Sequence, residues 1–541
     1  MRPSQSNFDA IIVGAGVSGL YLLKRLREKG FSVRILEAGD GVGGVWHWNR
    51  YPGTRCDVES MQYSYSFSEE IQQEWSWSER FAPQSELLRY LNHVTDRFDL
   101  RRDIQFNTSV TAAHFDEQNN SWSIQTETHG SVCAQFLLLA TGCLSVPNEP
   151  KIAGMDKFRG KIFHTGRWLD ENVDFSGLRV GVVGTGSSGI QSIPVIARQA
   201  AHLTVFQRSA HFTVPARNRP LSPDEEAHWK ANYPKMREAA RNSRSGTLNP
   251  VPTKAILEVD DDERRKGLDE AWNRGGLGFT QAFTDILSSD DANQLAADYV
   301  RDRIRGIVRD PQTAAALTPT GYPIGGKRLV LNTDYYETFN RDNVSLVNLR
   351  TEPFEEMLPN GVRTRAQTYD LDALVFATGY DAMTGAVMKI DIRGVGGATI
   401  QEKWEAGPRT YLGLMTAGFP NMFIIAGPGS PCVKSNGITA GEQHAEWLSA
   451  CLHYLREHAI RRIDANPEAE DRWVEHVNEV ATTAINMKAD NWYVGANIAG
   501  KPRVFMPYVG GVDRYARICN EVAARGYTDF ELMRESTSTV S

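Results

Sequence analysis

The chain has 541 residues, enough for two or three domains, and its 59 basic and 66 acidic side chains give a net charge of −7. The charges are spread without blocks of one sign, so neither nucleic acid nor an anionic membrane is indicated as a partner. No apolar run reaches the roughly eighteen residues of a membrane span, and residues 1–9 are polar. We therefore expect a cytoplasmic protein without membrane segments.

The six cysteines are widely spaced and include neither a CxxC pair nor a Cys/His spacing that suits zinc. We expect them to be reduced and mostly buried, and we expect no metal site. The absence of CxxC also argues against the disulfide reductases, whose chains share a layout with two dinucleotide-binding fingerprints.

The first predicted element is a strand over residues 10–13, followed by a glycine-rich turn and a helix. Such a turn admits a pyrophosphate, and the helix N-terminus faces its charge. The fingerprint residues of this turn are Gly14, Gly16, Ser18 and Gly19. A second strand, over residues 32–36, ends in Glu37, whose carboxylate can accept hydrogen bonds from a ribose hydroxyl. This half is predicted to bind a dinucleotide with a free ribose, although Glu37 alone could be a solvated strand end.

The next predicted elements are a helix over residues 84–97 and short strands over residues 104–139. Turns are expected at residues 118–120 and 129–130, and the tag Ala140-Thr141-Gly142 closes the run. The same tag recurs at residues 377–379. We expect each copy to return its unit to the edge of a sheet.

A second fingerprint follows the predicted strand over residues 180–183. Its residues are Gly184, Thr185, Gly186, Ser187, Ser188 and Gly189. The next strand, over residues 203–206, ends in Gln207, Arg208 and Ser209 without an acid. An Arg at this place pairs with a 2′-phosphate, so this site is predicted to bind NADP; the alternative for Arg208 is a surface charge.

Residues 222–319 are predicted to be a charged, helix-rich insertion, with helices over residues 261–274 and 291–307. We interpret it as a structural cap on the domain that contains it; a role in shaping a substrate pocket is the alternative. The C-terminal tail, residues 536–541, is predicted to be disordered.

Two further motifs carry a family resemblance. One is Phe158-x-Gly160-x-x-x-His164-x-x-x-Trp168, and the other joins residues 43–46 to residues 51–57. Together they resemble the signatures of the type I Baeyer–Villiger monooxygenases, over essentially the whole chain. Leu169 stands where the family usually has Pro or Asp after the motif Trp. This difference affects the expected local turn and not the resemblance to the family.

The resemblance implies an α/β fold with two Rossmann-like dinucleotide-binding domains, one for FAD and one for NADP. The FAD domain is expected to be discontinuous, over residues 1–143 and 381–541. The NADP domain is expected over residues 144–221 and 320–380, with residues 222–319 as its helical insertion. A monomer or a weak homo-oligomer is expected.

The resemblance also implies the reaction. NADPH reduces the flavin, O2 adds at flavin C4a to give a peroxide, and this peroxide converts a ketone to an ester or lactone. A fixed cation would stabilise the anions of this path. The family's catalytic Arg corresponds to Arg328, the Lys that contacts the 2′-phosphate corresponds to Lys327, and Asp57 orients the Arg. Otherwise Arg328 would be a solvated loop cation, and Asp57 would cap a helix at residues 58–60.

Other positions are assigned by the same resemblance. The expected cofactor contacts are Val45, Trp46, Trp48, Arg55, Asp57, Tyr63, Val110, Gln191, Gln207, Gly437 and Trp492. Trp46 and Trp48 could equally be core aromatics. His164 is interpreted as a hinge or structural residue and not as an acid or base.

The expected substrates are O2 and a bulky ketone that is aryl-aliphatic, long-chain or polycyclic. This rests on residues 427–437, which match the longer active-site loop of phenylacetone-type members, and on Gly437, which replaces a bulkier Met. A flavin-dependent N- or S-monooxygenase is the main alternative. A flavin-bound redox-responsive interaction protein is the non-catalytic one.

Overall fold

The structure is a computed structural model that describes residues 7–534, so the tail predicted to be disordered, residues 536–541, lies outside the described residues. Within this range the chain forms twenty strands: β1 (Asn7–Val13), β2 (Val33–Leu36), β3 (Ile104–Gln105), β4 (Val110–Asp116), β5 (Ser121–Thr126), β6 (Gly130–Leu139), β7 (Lys161–His164), β8 (Arg179–Val183), β9 (His202–Gln207), β10 (Thr213–Pro215), β11 (Val330–Asn332), β12 (Val344–Asn348), β13 (Phe354–Leu358), β14 (Gly361–Thr364), β15 (Thr368–Asp370), β16 (Ala373–Phe376), β17 (Asp391–Arg393), β18 (Met422–Ile424), β19 (Ile460–Ala465) and β20 (Phe530–Arg534).

The same range contains fifteen α-helices: α1 (Val17–Glu28), α2 (Val45–Trp48), α3 (Glu69–Glu74), α4 (Gln84–Arg97), α5 (Ser187–Gln199), α6 (Pro223–Arg241), α7 (Asp261–Arg274), α8 (Asp290–Ile307), α9 (Pro311–Leu317), α10 (Tyr335–Thr338), α11 (Gly385–Met388), α12 (Ile400–Lys403), α13 (Gly437–Glu457), α14 (Pro467–Ala481) and α15 (Val512–Ala524). Short 3-10 helices cover Arg101–Asp103, Met155–Lys157, Leu277–Gln281, Val395–Gly397, Ile485–Lys488 and Trp492–Val494. None of the helices between residues 7 and 534 is both long and apolar enough to span a bilayer.

Eight strands form the first sheet, in the order β17-β4-β5-β6-β1-β2-β3, and β18 also pairs with β6. Strand β1 runs parallel to β2 and β6, whereas β4, β5 and β6 form an antiparallel meander. The two turns of this meander lie at the predicted positions, around residues 118–120 and 129–130. Successive residues of β1 face opposite sides: Ile12 packs with α1 and α13, and Ile11 packs with Trp122.

Five parallel strands form the second sheet, in the order β12-β9-β8-β16-β7. Its centre is the predicted unit of β8, α5 and β9, and the apolar side chains of α5 pack in the core with those of β8 and β9. Each sheet therefore contains its own unit of strand, glycine turn and helix. The predicted α/β fold with two Rossmann-like units is confirmed.

The strands that precede the two Ala-Thr-Gly tags do not lie at sheet edges. Strand β6 pairs with β1, β5 and β18, and β16 lies between β8 and β7, so the expectation of edge strands was wrong. Leu137 of β6 and Val375 of β16 have 0% exposure. Apolar strands that are covered on both faces belong in the interior of a sheet, which explains the difference.

The insertion is helix-rich, as predicted, but it contacts both halves of the molecule. Side chains of α7 and α8 pack in the core of the second sheet. Helix α6 instead packs Tyr233 against the core of the first sheet, and Arg237 donates to the carbonyl of Gln62 at 3.0 Å. The insertion is thus a cap on the second unit only in part, and it also joins that unit to the first.

Candidate active site

The first fingerprint forms a cradle between β1 and α1. Gly14 has a φ of 107°, and a Cβ on it would lie 2.6 Å from the carbonyl O of Ala140. A Cβ on Gly19 would lie 2.1 Å from the carbonyl O of Gly14, so the turn and the helix touch through backbone. Gly16 caps α1 without a side-chain hydrogen bond, which leaves N–H groups at the helix N-terminus for an anion. Ser18 lies in the first turn of α1 against Gly441 of α13.

Glu37 follows directly after β2 and stabilises this cradle. Its carboxylate accepts hydrogen bonds from the backbone N–H of Ala15 at 2.6 Å and of Gly39 at 2.8 Å. Burial raises the pKa of Glu37 although these N–H groups oppose the shift. A carboxylate has about four acceptor sites, so capacity for a ribose hydroxyl remains.

The second fingerprint repeats the geometry between β8 and α5. Gly184 has a φ of 109°, and a Cβ on it would lie 2.5 Å from the carbonyl O of Ala377. A Cβ on Gly189 would lie 2.1 Å from the carbonyl O of Gly184. At Gly186 a Cβ would meet no described atom within 4 Å, so the cradle has free space there. Thr185 donates to the carbonyl of Ser209 at 3.0 Å, and Ser187 and Ser188 begin α5.

Positively charged side chains lie close together beyond the end of β9. Arg208 is exposed there, and Arg350, two residues after β12, donates to the Arg208 carbonyl at 2.9 Å and to Ser209 Oγ at 3.0 Å. Lys327 lies with its Nζ 4.5 Å from the ring centroid of Tyr322. Burial and the nearby Arg208 and Arg350 lower the pKa of Lys327. Like charges held together in this way fit the predicted contact with the 2′-phosphate of NADP.

Gln191 and Gln207 use their side chains within the protein. Gln191 accepts from the hydroxyl of Tyr51 at 2.8 Å and donates to the Arg55 carbonyl at 3.0 Å. Gln207 donates to the Ala316 carbonyl at 2.7 Å, and among the described residues its buried Oε1 has no hydrogen-bond partner. Gln191 therefore connects α5 to the loop that contains Asp57.

Arg328 and Asp57, which are far apart in the sequence, contact each other in the structure. Arg328 lies between α9 and β11, and its Nε and Nη2 donate to Asp57 Oδ2 at 2.8 Å and 2.6 Å. Its Nη1 donates to the Val433 carbonyl at 3.2 Å, and the hydroxyl of Tyr493 is a further partner. Asp57 raises the pKa of Arg328 above its already high value, against the effect of burial. Residues 58–60 are not helical, so the helix-capping alternative for Asp57 was wrong.

The loop before Arg328 is held by buried amides. Asn486 donates to the carbonyls of Gly325 at 2.8 Å and Gly326 at 3.2 Å, and Asn491 donates to Gly326 at 2.9 Å. Residues 486–497 thus fix the approach of Lys327 and Arg328. Sequence reasoning singled out Trp492 in this segment and missed Tyr493, whose ring centroid is 4.1 Å from that of Trp492.

The short helix α2 holds Val45, Trp46 and Trp48 against the first cradle. Trp46 is buried, and its Nε1 donates to the hydroxyl of Tyr63 at 3.3 Å. The backbone N–H of Trp168 donates to the Trp48 carbonyl at 2.8 Å. Gly44, just before α2, faces Gly16 across the cradle. The helix thus lines the side of the cradle that faces α1.

A cavity of about 430 Å³ opens beside Asp57. Its walls include Phe81, Leu248 and residues 274–278. Arg55, two residues before Asp57, does not point freely into solvent, because it pairs with Glu79 and donates to the Phe81 carbonyl at 2.6 Å. A cavity of this size therefore reaches Asp57, the partner of Arg328.

The remaining sequence-derived residues lie at separate places. Val110 begins β4, and Gly437 begins α13 with nothing within 4 Å of a Cβ placed on it. His164 ends β7, where its Nδ1 accepts from the Gly166 N–H at 2.9 Å and its Nε2 lies 3.1 Å from Thr378 Oγ1. Burial lowers the pKa of His164. All six cysteines are free, and within residues 7–534 no cluster of His, Cys, Asp and Glu suits a metal ion.

Known proteins resemble this chain over its whole length. Residues 11–261 match the pyridine nucleotide-disulphide oxidoreductase family model. A Baeyer–Villiger monooxygenase of Pseudooceanicola batsensis is 40% identical over 537 residues, which is 98% of this chain and 97% of the relative. This chain belongs to the Baeyer–Villiger monooxygenases. A solved structure of an oxidised steroid monooxygenase bound to NADP has a TM-score of 0.94 at 49% identity, over 98% of this chain and 100% of that one.

A phenazine N-monooxygenase of Lysobacter antibioticus is 41% identical over 541 residues, which is 99% of each chain. As a type I Baeyer–Villiger monooxygenase, the protein is an FAD-containing, NADPH-dependent flavoenzyme. Its residues fit both groups: the cradle at Gly14–Gly19 with Glu37 suits FAD, and the cradle at Gly184–Gly189 with the cations beyond β9 suits NADP.

Proposed function

We propose that this monooxygenase converts ketones to esters or lactones, with Arg328 as the catalytic cation and Asp57 as the residue that orients it. The observation that carries the proposal is the two-point contact of Arg328 with a single Asp57 oxygen. When bound, FAD and NADPH supply the oxygen transfer and the reducing equivalents. The residues of the chain then bind and orient these cofactors and stabilise the charge around them.

Arg328 suits stabilisation of an anion better than proton donation, because its guanidinium stays charged and Asp57 raises its pKa further. Oxygen insertion beside a carbonyl passes through a tetrahedral alkoxide, and a fixed cation near that oxygen lowers the barrier without reorganising at the moment of reaction. Asp57, the Val433 carbonyl and Tyr493 hold the guanidinium from three sides. These contacts favour preorganisation over a mobile loop cation.

The substrate class proposed is the bulky one: aryl-aliphatic, long-chain or polycyclic ketones. The cavity of about 430 Å³ beside Asp57 and the free space around Gly437 support it. The proposed FAD domain covers residues 1–143 and 381–541, and the proposed NADP domain covers residues 144–221 and 320–380 with the insertion 222–319. The cytoplasmic location and the monomeric or weakly oligomeric state stay predictions from the sequence.

The test is product analysis with NADPH and O2 on phenylacetone, 2-octanone, a steroid ketone and cyclobutanone. We expect an ester from each bulky ketone and a rate of NADPH oxidation that rises with ketone. Conversion confined to cyclobutanone would disprove the substrate class. NADPH oxidation that only yields H2O2, with no ester from any ketone, would disprove the function.

The Arg328→Ala variant tests the catalytic assignment in the same assay. We expect ester formation to fall roughly a hundredfold to a thousandfold, as when one oxyanion-stabilising donor is removed, while NADPH still reduces the flavin. Arg198→Ala is the matched control, because Arg198 is an exposed arginine paired with Asp334. Equal losses in both variants would contradict the role of Arg328.

N-oxygenation is the second candidate function, and the similarity to a phenazine N-monooxygenase supports it. Phenazine and a tertiary amine therefore belong in the substrate panel. Formation of an N-oxide with no ester from any ketone would move the protein to that class.

A further inference from the structure

Two cysteines that the proposed reaction does not use lie together in the structure. Cys143 follows the first Ala-Thr-Gly tag, and Cys432 lies in the loop of residues 427–437. Their side chains belong to one apolar cluster with Met383, and their thiols contact each other through a hydrogen bond. The fold thus brings two thiols from distant parts of the chain into contact.

The backbone holds Cys143 in a defined place. The segment after the first tag runs antiparallel to the segment after the second tag. The N–H of Met383 donates to the Cys143 carbonyl at 2.8 Å, and the N–H of Asp381 donates to the Val146 carbonyl at 2.9 Å. In these two segments the chain passes between the proposed FAD and NADP domains. Cys143 is therefore a residue of the linker between the proposed domains.

The thiol of Cys432 packs against the same linker. Its Sγ lies 4.0 Å from the Sδ of Met383. The next residue is Val433, whose carbonyl accepts from Nη1 of Arg328 at 3.2 Å. A change in the position of Cys432 therefore reaches a group that holds Arg328.

The pair has the properties of a site that reacts with an oxidant. Cys143 is half-buried, so a small oxidant can reach it, whereas Cys432 is buried behind it. The hydrogen bond from Cys432 lowers the pKa of the Cys143 thiol against the effect of burial, and the charge of Arg328 adds to the lowering. A thiolate is the form of cysteine that attacks peroxides, and a second thiol beside it can complete a disulfide.

We propose that Cys143 and Cys432 form a peroxide-sensitive pair whose disulfide slows the enzyme. The oxidant is hydrogen peroxide. The Cys143 thiolate attacks one peroxide oxygen, the O–O bond breaks, and hydroxide leaves a sulfenic acid behind. The Cys432 thiol then displaces the sulfenic hydroxyl as water and forms the S–S bond. In total the two thiols lose two electrons and two protons, and the peroxide becomes two waters.

The disulfide would tie the active-site loop to the linker and shift the Val433 carbonyl away from Arg328. Hydrogen peroxide is also what an oxygenase of this kind releases when oxygen is not transferred to a ketone. The pair would therefore respond to unproductive turnover. The inference goes beyond the proposed function, because the disulfide can be detected without a ketone.

Core packing is the competing explanation, since a free cysteine often behaves as a small apolar side chain. Cysteines with only that role would stay reduced in peroxide, or would oxidise in the order of their exposure. A reactive pair would form its disulfide before the other cysteines change.

The experiment treats the FAD-loaded enzyme with hydrogen peroxide and identifies disulfides by peptide mass spectrometry. We expect a Cys143–Cys432 link before any other cysteine is oxidised, and dithiothreitol should remove it. Ester formation should fall roughly tenfold to a hundredfold with the disulfide, because a small shift near Arg328 misplaces the cation, and should return on reduction. In Cys432→Ser the sulfenic acid of Cys143 should persist and react with dimedone.

Cys133→Ser is the matched control, because Cys133 is half-buried like Cys143 but lies in β6. This variant should form the disulfide and lose activity as the wild type does. Cys143 and Cys432 that stay reduced while other cysteines oxidise overturn the inference, and so does a disulfide that leaves turnover unchanged. If no ketone gives ester before peroxide is added, the proposed function fails by itself, and the rate of NADPH oxidation then measures the effect of the disulfide.

Discussion

At the scale of single residues, we infer that the cations beyond β9 determine the preference for NADPH over NADH. Arg208 and Lys327 stand out in the sequence, one after a strand and one in a glycine loop. Arg350 does not, because only the pairing of β12 with β9 brings it to Ser209. Burial, and after it the nearby Arg208 and Arg350, lowers the pKa of Lys327, so the three cations lie close together.

We expect Arg350→Ala to raise the KM for NADPH roughly tenfold, because an exposed charged contact to the 2′-phosphate is lost. The KM for NADH should change little, since NADH lacks that phosphate. Steady-state kinetics with both cofactors measure the difference, and the exposed Arg198→Ala variant is the control. A similar rise for both cofactors would show that Arg350 acts on the fold of the site and not on the phosphate.

At the scale of elements, each cradle depends on the backbone contact between its turn and its helix. In the second unit Gly189 lies where a Cβ would approach the Gly184 carbonyl to 2.1 Å, whereas a Cβ on Gly186 meets nothing within 4 Å. The two glycines of one fingerprint therefore have different tasks. Gly189 allows α5 to pack, and we infer that the free space at Gly186 is where the dinucleotide binds.

The prediction is that Gly189→Ala destabilises the fold by about 1–3 kcal/mol or more, since α5 must move away from the turn. Gly186→Ala should leave the unfolding transition near that of the wild type and weaken NADP binding. Thermal unfolding without nicotinamide cofactor and titration with NADP separate the two effects. Equal melting temperatures for both variants would argue against this division of tasks.

The helices and strands were largely predictable from the sequence, but the strands with which each strand pairs were not. Glycine turns after apolar strands located both Rossmann-like units, and the helix predicted over residues 84–97 is α4. The positions of β6 and β16 inside their sheets follow from pairing between distant segments, which a local pattern does not contain. In the same way Arg328 and Asp57 came from the family resemblance, whereas Tyr493 and Asn486 were found only in the folded structure.

At the scale of the whole molecule, Trp168 connects the second sheet to the loop that contains Asp57. Its ring stacks on the ring of Phe163 in β7, with 4.6 Å between the centroids. Its backbone N–H donates to the Trp48 carbonyl, and its backbone carbonyl accepts from the Arg50 N–H at 3.0 Å. Residue 169, where the family signature is broken, is a Leu with 48% exposure. The contacts that join the two units at this motif are therefore those of Trp168, while the side chain of Leu169 is exposed.

We expect Trp168→Ala to lower the free energy of unfolding by about 3–5 kcal/mol, as for a large buried aromatic. The loop at residues 46–57 should loosen, so that Asp57 orients Arg328 less well and more of the NADPH consumed ends as H2O2 instead of ester. The ratio of ester to H2O2 per NADPH measures this loss, and it is independent of the amount of folded enzyme. Leu169→Ala, one residue further and exposed, should leave both the ratio and the stability unchanged. A drop in stability for Trp168→Ala with an unaltered ratio would mean that the motif supports the fold without coupling the second sheet to the catalytic pair.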